Sequence, residues 1–75
     1  MYTHLEMVVE DIVLFAEEYK AKKVIVKGRR MFFLVVNNKR ILVAFFGLPL
    51  IDFELEYIVN ELKRNGLEVE VQGDE

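Results

Sequence analysis

Hydrophobic positions recur with the period of an α-helix in two parts of the chain. From about Thr3 to Lys20, apolar residues fall on one side at 100° per residue, opposite several glutamates. A second stripe runs from about Asp52 to Arg64, with acids in its first turn and bases in its last, as the helix dipole favours. Asn65-Gly66 then forms a typical C-terminal cap. The predicted core-facing residues are Leu5, Val8, Val9, Ile12, Phe15, Ala16 and Tyr19 in the first helix and Ile51, Leu55, Ile58, Val59 and Leu62 in the second.

Between the two helical stretches the pattern changes to that of β-strands. Strands are predicted at Lys23–Lys27, Met31–Val36 and Arg40–Phe46, and a fourth, alternating strand at Leu67–Gln72. Gly28-Arg29-Arg30 is predicted as a turn, and Asn37-Asn38 suits a tight hairpin because asparagine tolerates a positive φ. The predicted order is αβββαβ in one α/β domain, residues 1–75.

The polarity of the strands leads to a predicted arrangement of the sheet. The second and third strands are apolar at successive positions, so both of their sides are apolar. This is typical of central strands that are buried on both faces. The first strand is short and flanked by Lys23 and Lys27, which is typical of an edge. An antiparallel meander and a right-handed crossover then predict a four-stranded mixed sheet in the order 1-2-3-4, with one helix on each face. A two-layer α+β fold is the alternative.

This order of elements resembles the common core of the restriction-endonuclease-like nucleases. That resemblance implies metal-binding acids on the second and third strands, but these read MFFLVV and ILVAFF. We therefore expect no enzyme activity, and no catalytic, cofactor or metal residue is predicted. The order also resembles the αβββα double-stranded-RNA-binding domain, which implies one open sheet face and a basic start to the second helix. Here that helix begins with acids, and a further strand follows it.

Composition narrows the class of protein further. The chain has no cysteine, and acids interrupt its N-terminal segment, so we expect a cytoplasmic protein rather than a secreted one. Its longest apolar run, from Ile41 to Ile51, contains Gly47 and Pro49 and is shorter than the roughly 20 residues of a membrane span. Abundant Glu and Lys with no serine are typical of thermostable proteins and also of designed ones.

Charge is segregated along the chain. Every charged residue from Lys20 to Arg40 is basic, whereas acids dominate the remainder. Threading the meander brings a set of bases to one end of the sheet, where they could contact phosphates or satisfy the carbonyls of two helix ends. A nucleic-acid-binding role would use Lys20, Lys22, Lys23, Lys39, Arg40 and Lys63.

A second stripe on the second helix suggests a different function. Phe53 and Tyr57 point away from the predicted core face, in line with Asn60 and Arg64, and Met7 and Leu14 do the same on the first helix. Exposed aromatic side chains and methionine beside arginine are typical of protein interfaces. The leading hypothesis is a small non-enzymatic protein-interaction domain that forms a homodimer or binds a protein partner. The alternatives are a nucleic-acid-binding protein and an idealised or designed fold without an evolved function.

Overall fold

The computed structural model describes residues 3–73 and confirms the predicted order of elements. Helix α1 spans Thr3–Tyr19 and helix α2 spans Asp52–Arg64. The strands are β1 (Lys23–Lys27), β2 (Met31–Val36), β3 (Lys39–Phe45) and β4 (Glu68–Gln72).

Two tight turns build the β1–β2–β3 meander. Asn37 and Asn38 have φ values of 53° and 66°, which is the left-handed pair that a type I′ hairpin turn requires. Gly28 and Arg29 repeat this geometry at 63° and 59°. The hairpin predicted at Asn37-Asn38 is therefore confirmed.

Both helices end in the same backbone motif. At the end of α2, Gly66 has a φ of 86°, its N–H donates to the Lys63 carbonyl, and the Leu67 N–H donates to the Leu62 carbonyl. At the end of α1, Lys20 takes the left-handed position with a φ of 57°. These bonds satisfy carbonyls that the helices leave without intrahelical donors.

The sheet is mixed, but its predicted strand order is wrong. The observed order is β3-β2-β1-β4, and β4 pairs in parallel with β1 instead of with β3. β1 is therefore a central strand, with Val24, Ile25 and Val26 all buried, while β3 lies at an edge. The 1-2-3-4 order that accompanied the nuclease resemblance is absent.

The prediction of one helix on each face is also wrong, because both helices lie on the same face. α1 and α2 contact each other, and one buried cluster joins both helices to a single side of the sheet. The cluster comprises Leu5, Val9, Ile12, Ala16, Val24, Val26, Phe32, Leu34, Leu50, Ile58, Leu62 and Leu67. The result is the two-layer alternative, a slab whose smallest Cα extent is 18 Å. Burial of this single apolar layer is what holds the fold together.

Two features explain why the strand order differs from expectation. Lys23 and Lys27 alternate with Val24 and Val26, so they point away from the helices and mark a solvated face instead of an edge. β3, which is an edge strand together with β4, is protected by a register shift opposite Phe32 and Phe33 and by Lys39 and Arg40 at its start.

Candidate interaction surface on the open face of the sheet

The side of the sheet opposite the helices is not covered by any element within residues 3–73, and we call it the open face. Alternation along the strands and the pairing register define it. Its central row runs across all four strands through Leu42, Phe33, Ile25 and Glu70. The whole face comprises Lys23, Ile25, Lys27, Met31, Phe33, Val35, Arg40, Leu42, Phe45, Glu68, Glu70 and Gln72.

The half of the open face on β2 and β3 is apolar, and we call it the apolar patch. It consists of Met31, Phe33, Val35, Leu42 and Phe45. Leu42 is 51% exposed and Phe45 is 57% exposed, while the three β2 residues are half-buried. None of the five packs against the buried cluster on the other side of the sheet. The patch is thus a contiguous apolar surface in contact with solvent.

Two arginines border the apolar patch and lie against its aromatic rings. The guanidinium carbon of Arg40 is 6.0 Å from the centroid of the Phe33 ring, and that of Arg30 is 5.1 Å from the centroid of the Phe45 ring. The Arg30 Nε also donates to the Phe46 carbonyl at 3.2 Å, which fixes its position. Cation–π attraction of this kind holds the arginines at the rim of the patch.

The other half of the open face, on β1 and β4, is polar and mostly charged, apart from Ile25, which is buried. The Lys23 ammonium lies 2.9 Å from a Glu70 carboxylate oxygen, and the Gln72 amide donates to the other oxygen at 3.0 Å. The hydrogen bonds from Gln72 and then Lys23 lower the pKa of Glu70, and the hydrogen bond to Glu70 raises the pKa of Lys23. The Glu70 carboxylate is therefore satisfied by neighbours on the same half of the open face.

A shallow cleft of about 400 Å³ continues the apolar patch at the β1–β2 turn. Phe45 and Met31 line the cleft with apolar surface, and Lys27 and Arg30 line it with positive charge. Pro49, from the segment between β3 and α2, also lines the cleft. The cleft therefore joins an apolar surface to positive charge.

The residues that were predicted to form an interface on the helices differ in their exposure to solvent. Phe53 is 58% exposed, but Tyr57 on the same stripe packs partly against the core. Asn60 and Arg64 are exposed, and an Arg64 guanidinium nitrogen lies 3.8 Å from the Glu61 carboxylate. Met7 and Leu14 are exposed on α1. Helix α2 therefore presents a narrower apolar surface than the sequence suggested.

The predicted basic residues do gather at the end of the sheet where both helices end. There the Glu68 N–H donates to the Lys22 carbonyl, so the segments that follow α1 and α2 lie side by side. Lys20 and Lys22 line a cleft of about 410 Å³ together with Glu17 and Asn65. Acids are interspersed here, and Lys23 is paired with Glu70, so this end is not uniformly positive. The sites of Lys39, Arg40 and Lys63 lie at the same end, at the start of β3 and the end of α2.

Charge differs more clearly between the two layers than between the two ends. Helix α1 carries five acids and no base, and α2 carries four acids and two bases. The strands and turns from Lys23 to Arg40 carry bases alone. The helix layer is consequently acidic, whereas bases border the apolar patch, and the acids of the sheet, Glu68 and Glu70, lie on β4 at the far side of the open face.

Groupings typical of metal sites do not occur in the part of the chain that the structure describes, where no three His, Cys, Asp or Glu side chains are placed to hold an ion. Between residues 3 and 73 no helix has the length and apolar character needed to cross a membrane. Comparisons of the chain with protein-family models, with curated proteins and with solved structures found no match.

Sequence reasoning missed the apolar patch as a surface, although its signal was present. The residues of β2 and β3 are apolar on both sides, as predicted, but the predicted helix on the second side is not there within residues 3–73. The predicted polarity of the strands is therefore correct, and the predicted position of the covering helix is wrong. In the described part of the chain, no element covers this apolar side of β2 and β3.

Proposed function

We propose that the protein is a non-enzymatic interaction module that binds another polypeptide chain through the open face. The observation that carries this proposal is the apolar patch on strands whose two sides are both apolar. Strands of this kind are normally buried on both faces. Residues 3–73 supply a helix layer for one face only, so we assign the second layer to a binding partner.

The composition of the open face supports a protein ligand. A protein interface commonly has an apolar centre that contains aromatic side chains, surrounded by a polar rim in which arginine is enriched. Phe33 lies within the apolar patch and Phe45 at its end, and Arg40 and Arg30 lie beside these two rings. The β2 side chains are half-buried before binding, so less side-chain entropy remains to be lost when a partner covers them.

Site-specific photo-crosslinking in the cells that make the protein tests this proposal. A benzophenone amino acid replaces Phe45 or Leu42 on the open face, and Leu14 on the outer side of α1 is the control because its exposure of 62% matches theirs. We expect discrete protein adducts from positions 45 and 42 and none of these from position 14. Equal labelling from position 14, or no protein adduct from the open face, would contradict the proposal.

A second candidate function is the binding of single-stranded nucleic acid on the same face. It is favoured by the two aromatic rings, each with an arginine beside it, because bases stack on such rings while cations contact phosphates. The aliphatic residues Val35, Leu42 and Met31 between the rings offer little to a base, so we rank this candidate second. It predicts nuclease-sensitive adducts from position 45, and binding that weakens steeply with salt and weakens further in the Lys39→Glu, Arg40→Glu variant.

A further inference from the structure

We infer that the partner is an amphipathic helix whose apolar stripe is flanked by carboxylates. This inference rests on the proposed function, because it names the ligand of the same open face. It follows from the width of the apolar patch and from the charges that surround it.

The apolar patch has the dimensions of one helix. It spans two adjacent strands, and with side chains on both edges it is about 10 Å wide. Its length from Met31 to Val35 is about 13 Å, at about 3.3 Å per residue. An α-helix with its side chains is about 10 Å across, so two to three turns cover the patch.

A second copy packed sheet against sheet fits this surface less well. Full overlap of the two sheets buries the charged half of each open face, with Lys23, Lys27, Glu68 and Glu70, and removing such charges from water is costly. Partial overlap of the two apolar patches brings Arg30 and Arg40 of one copy near those of the other. Repulsion between these like charges disfavours a dimer formed through the two apolar patches.

The rim charges define the flanks of the bound helix. Arg40 on β3 pairs with Val35 at one end of the apolar patch, and Lys27 on β1 pairs with Met31 at the other end, so these two cations lie on opposite sides of β2. Arg30 lies beside Phe45 at the same end as Lys27. Within residues 3–73, neither Lys27 nor Arg40 has a carboxylate within salt-bridge distance. Glutamates or aspartates beside the apolar stripe of the partner would provide these missing partners. The complex would then have three layers, with a helix on each side of the sheet.

A pair of designed peptides tests the inference. Each is a stapled helix of about 18 residues with leucines spaced i, i+3, i+4 and i+7, and the two differ only in carrying glutamates or lysines beside the stripe. Binding is measured by fluorescence anisotropy at low salt, with sedimentation velocity of the protein alone at the same concentrations. We expect the glutamate peptide to bind at least about tenfold more tightly than the lysine peptide.

Three variants of the protein locate the binding. The double variant Leu42→Ser, Phe45→Ser should weaken binding of the glutamate peptide by at least about tenfold, because it removes apolar contacts. The double variant Arg40→Gln, Lys27→Gln should weaken binding of the glutamate peptide alone. Leu14→Ser, on the helix layer, is the control and should leave binding unchanged. Thermal unfolding by circular dichroism verifies that all three are folded.

The outcomes separate this inference from the proposed function. Equal binding of the two peptides, or binding of neither, overturns the inference, and so does binding abolished by Leu14→Ser. A wild-type dimer that dissociates in the Leu42→Ser, Phe45→Ser variant makes a second copy the occupant, which overturns the inference and retains the proposed function. Binding of single-stranded oligonucleotides in place of both peptides overturns both.

Discussion

Glu70 on β4 accepts a hydrogen bond from Lys23 on β1, although its partner in the strand register is Ile25. The contact is diagonal across the parallel pair, at 2.9 Å. It exists only because β4 lies beside β1, so it is a local marker of the strand order. Its two side chains are each more than a third exposed, so its effect on stability is small.

The titration of Glu70 provides the first prediction. Its folded-state pKa is lowered, first by Gln72 and then by Lys23, so its stabilising contribution is present above the unfolded pKa and is lost as pH falls through the folded pKa. Lys23 has a raised pKa, so its contribution is present below the unfolded pKa and is lost as pH rises through the folded pKa. Carboxyl-carbon NMR should show an upward shift of the Glu70 pKa in Gln72→Ala and in Lys23→Met. An unchanged pKa in both variants would contradict the observed geometry.

Two leucines on opposite sides of the sheet provide the second prediction. Leu34 is fully buried against the helices, whereas Leu42 on the open face is 51% exposed. Leu34→Ala should lower the free energy of unfolding by about 2–5 kcal/mol through the cavity it leaves. Leu42→Ala should lower it by less than about 1 kcal/mol. Urea denaturation of the monomer measures both, and equal losses would mean that the open face is covered.

The positions of the six elements can be predicted from the sequence, but the pairing of the strands cannot. Alternation and turn residues place all six elements within one or two residues, because each depends on neighbours along the chain. The pairing of β4 depends on which strand edge remains free after the meander forms, and no local pattern records that. Lys23 and Lys27 would appear in the same pattern if they lay on an edge strand or on the solvent-exposed face of a central strand, so the pattern does not distinguish the two.

The helix faces show the same limit. Ile58 and Leu62 are buried as predicted, but Ile51 is 61% exposed because it precedes the first turn of α2. Phe15 and Tyr19 are 40% and 46% exposed at the margin of the α1 stripe. With both helices on one face, each has a neighbouring helix on one flank, and the opposite flank is left to solvent. The periodicity of a helix shows which side faces the core, but it does not show how much of that side the neighbouring elements cover.

The ends of the two helices provide the third prediction. Lys20 occupies a left-handed position that favours glycine, so Lys20→Gly should raise the free energy of unfolding by about 0.5–1 kcal/mol. Gly66→Ala should lower it by about 1 kcal/mol, and this loss comes from the backbone because no atom lies within 4 Å of the added Cβ. Thermal denaturation measures the opposite signs. A stabilising Gly66→Ala would show that α2 ends differently.

The Asn37-Asn38 turn provides the fourth prediction. Both residues have positive φ, so Asn37→Ala and Asn38→Ala should each lower the free energy of unfolding by about 1 kcal/mol. Asn38→Gly should be neutral or stabilising, since Asn-Gly is a preferred pair in type I′ turns. Chemical denaturation compares the three variants. Destabilisation by Asn38→Gly, as large as that by alanine, would rule out a type I′ turn.

The parallel pairing of β4 with β1 also constrains the order of events during synthesis. The three strands of the meander leave the ribosome together and pair through short hairpins, so they are the first to associate. One edge of β1 stays open until α2 and β4 have been made, and that edge passes beside buried Val24 and Val26. A growing chain therefore exposes an apolar strand edge that the finished protein hides, and until β4 pairs with β1 that edge can add a strand from another chain.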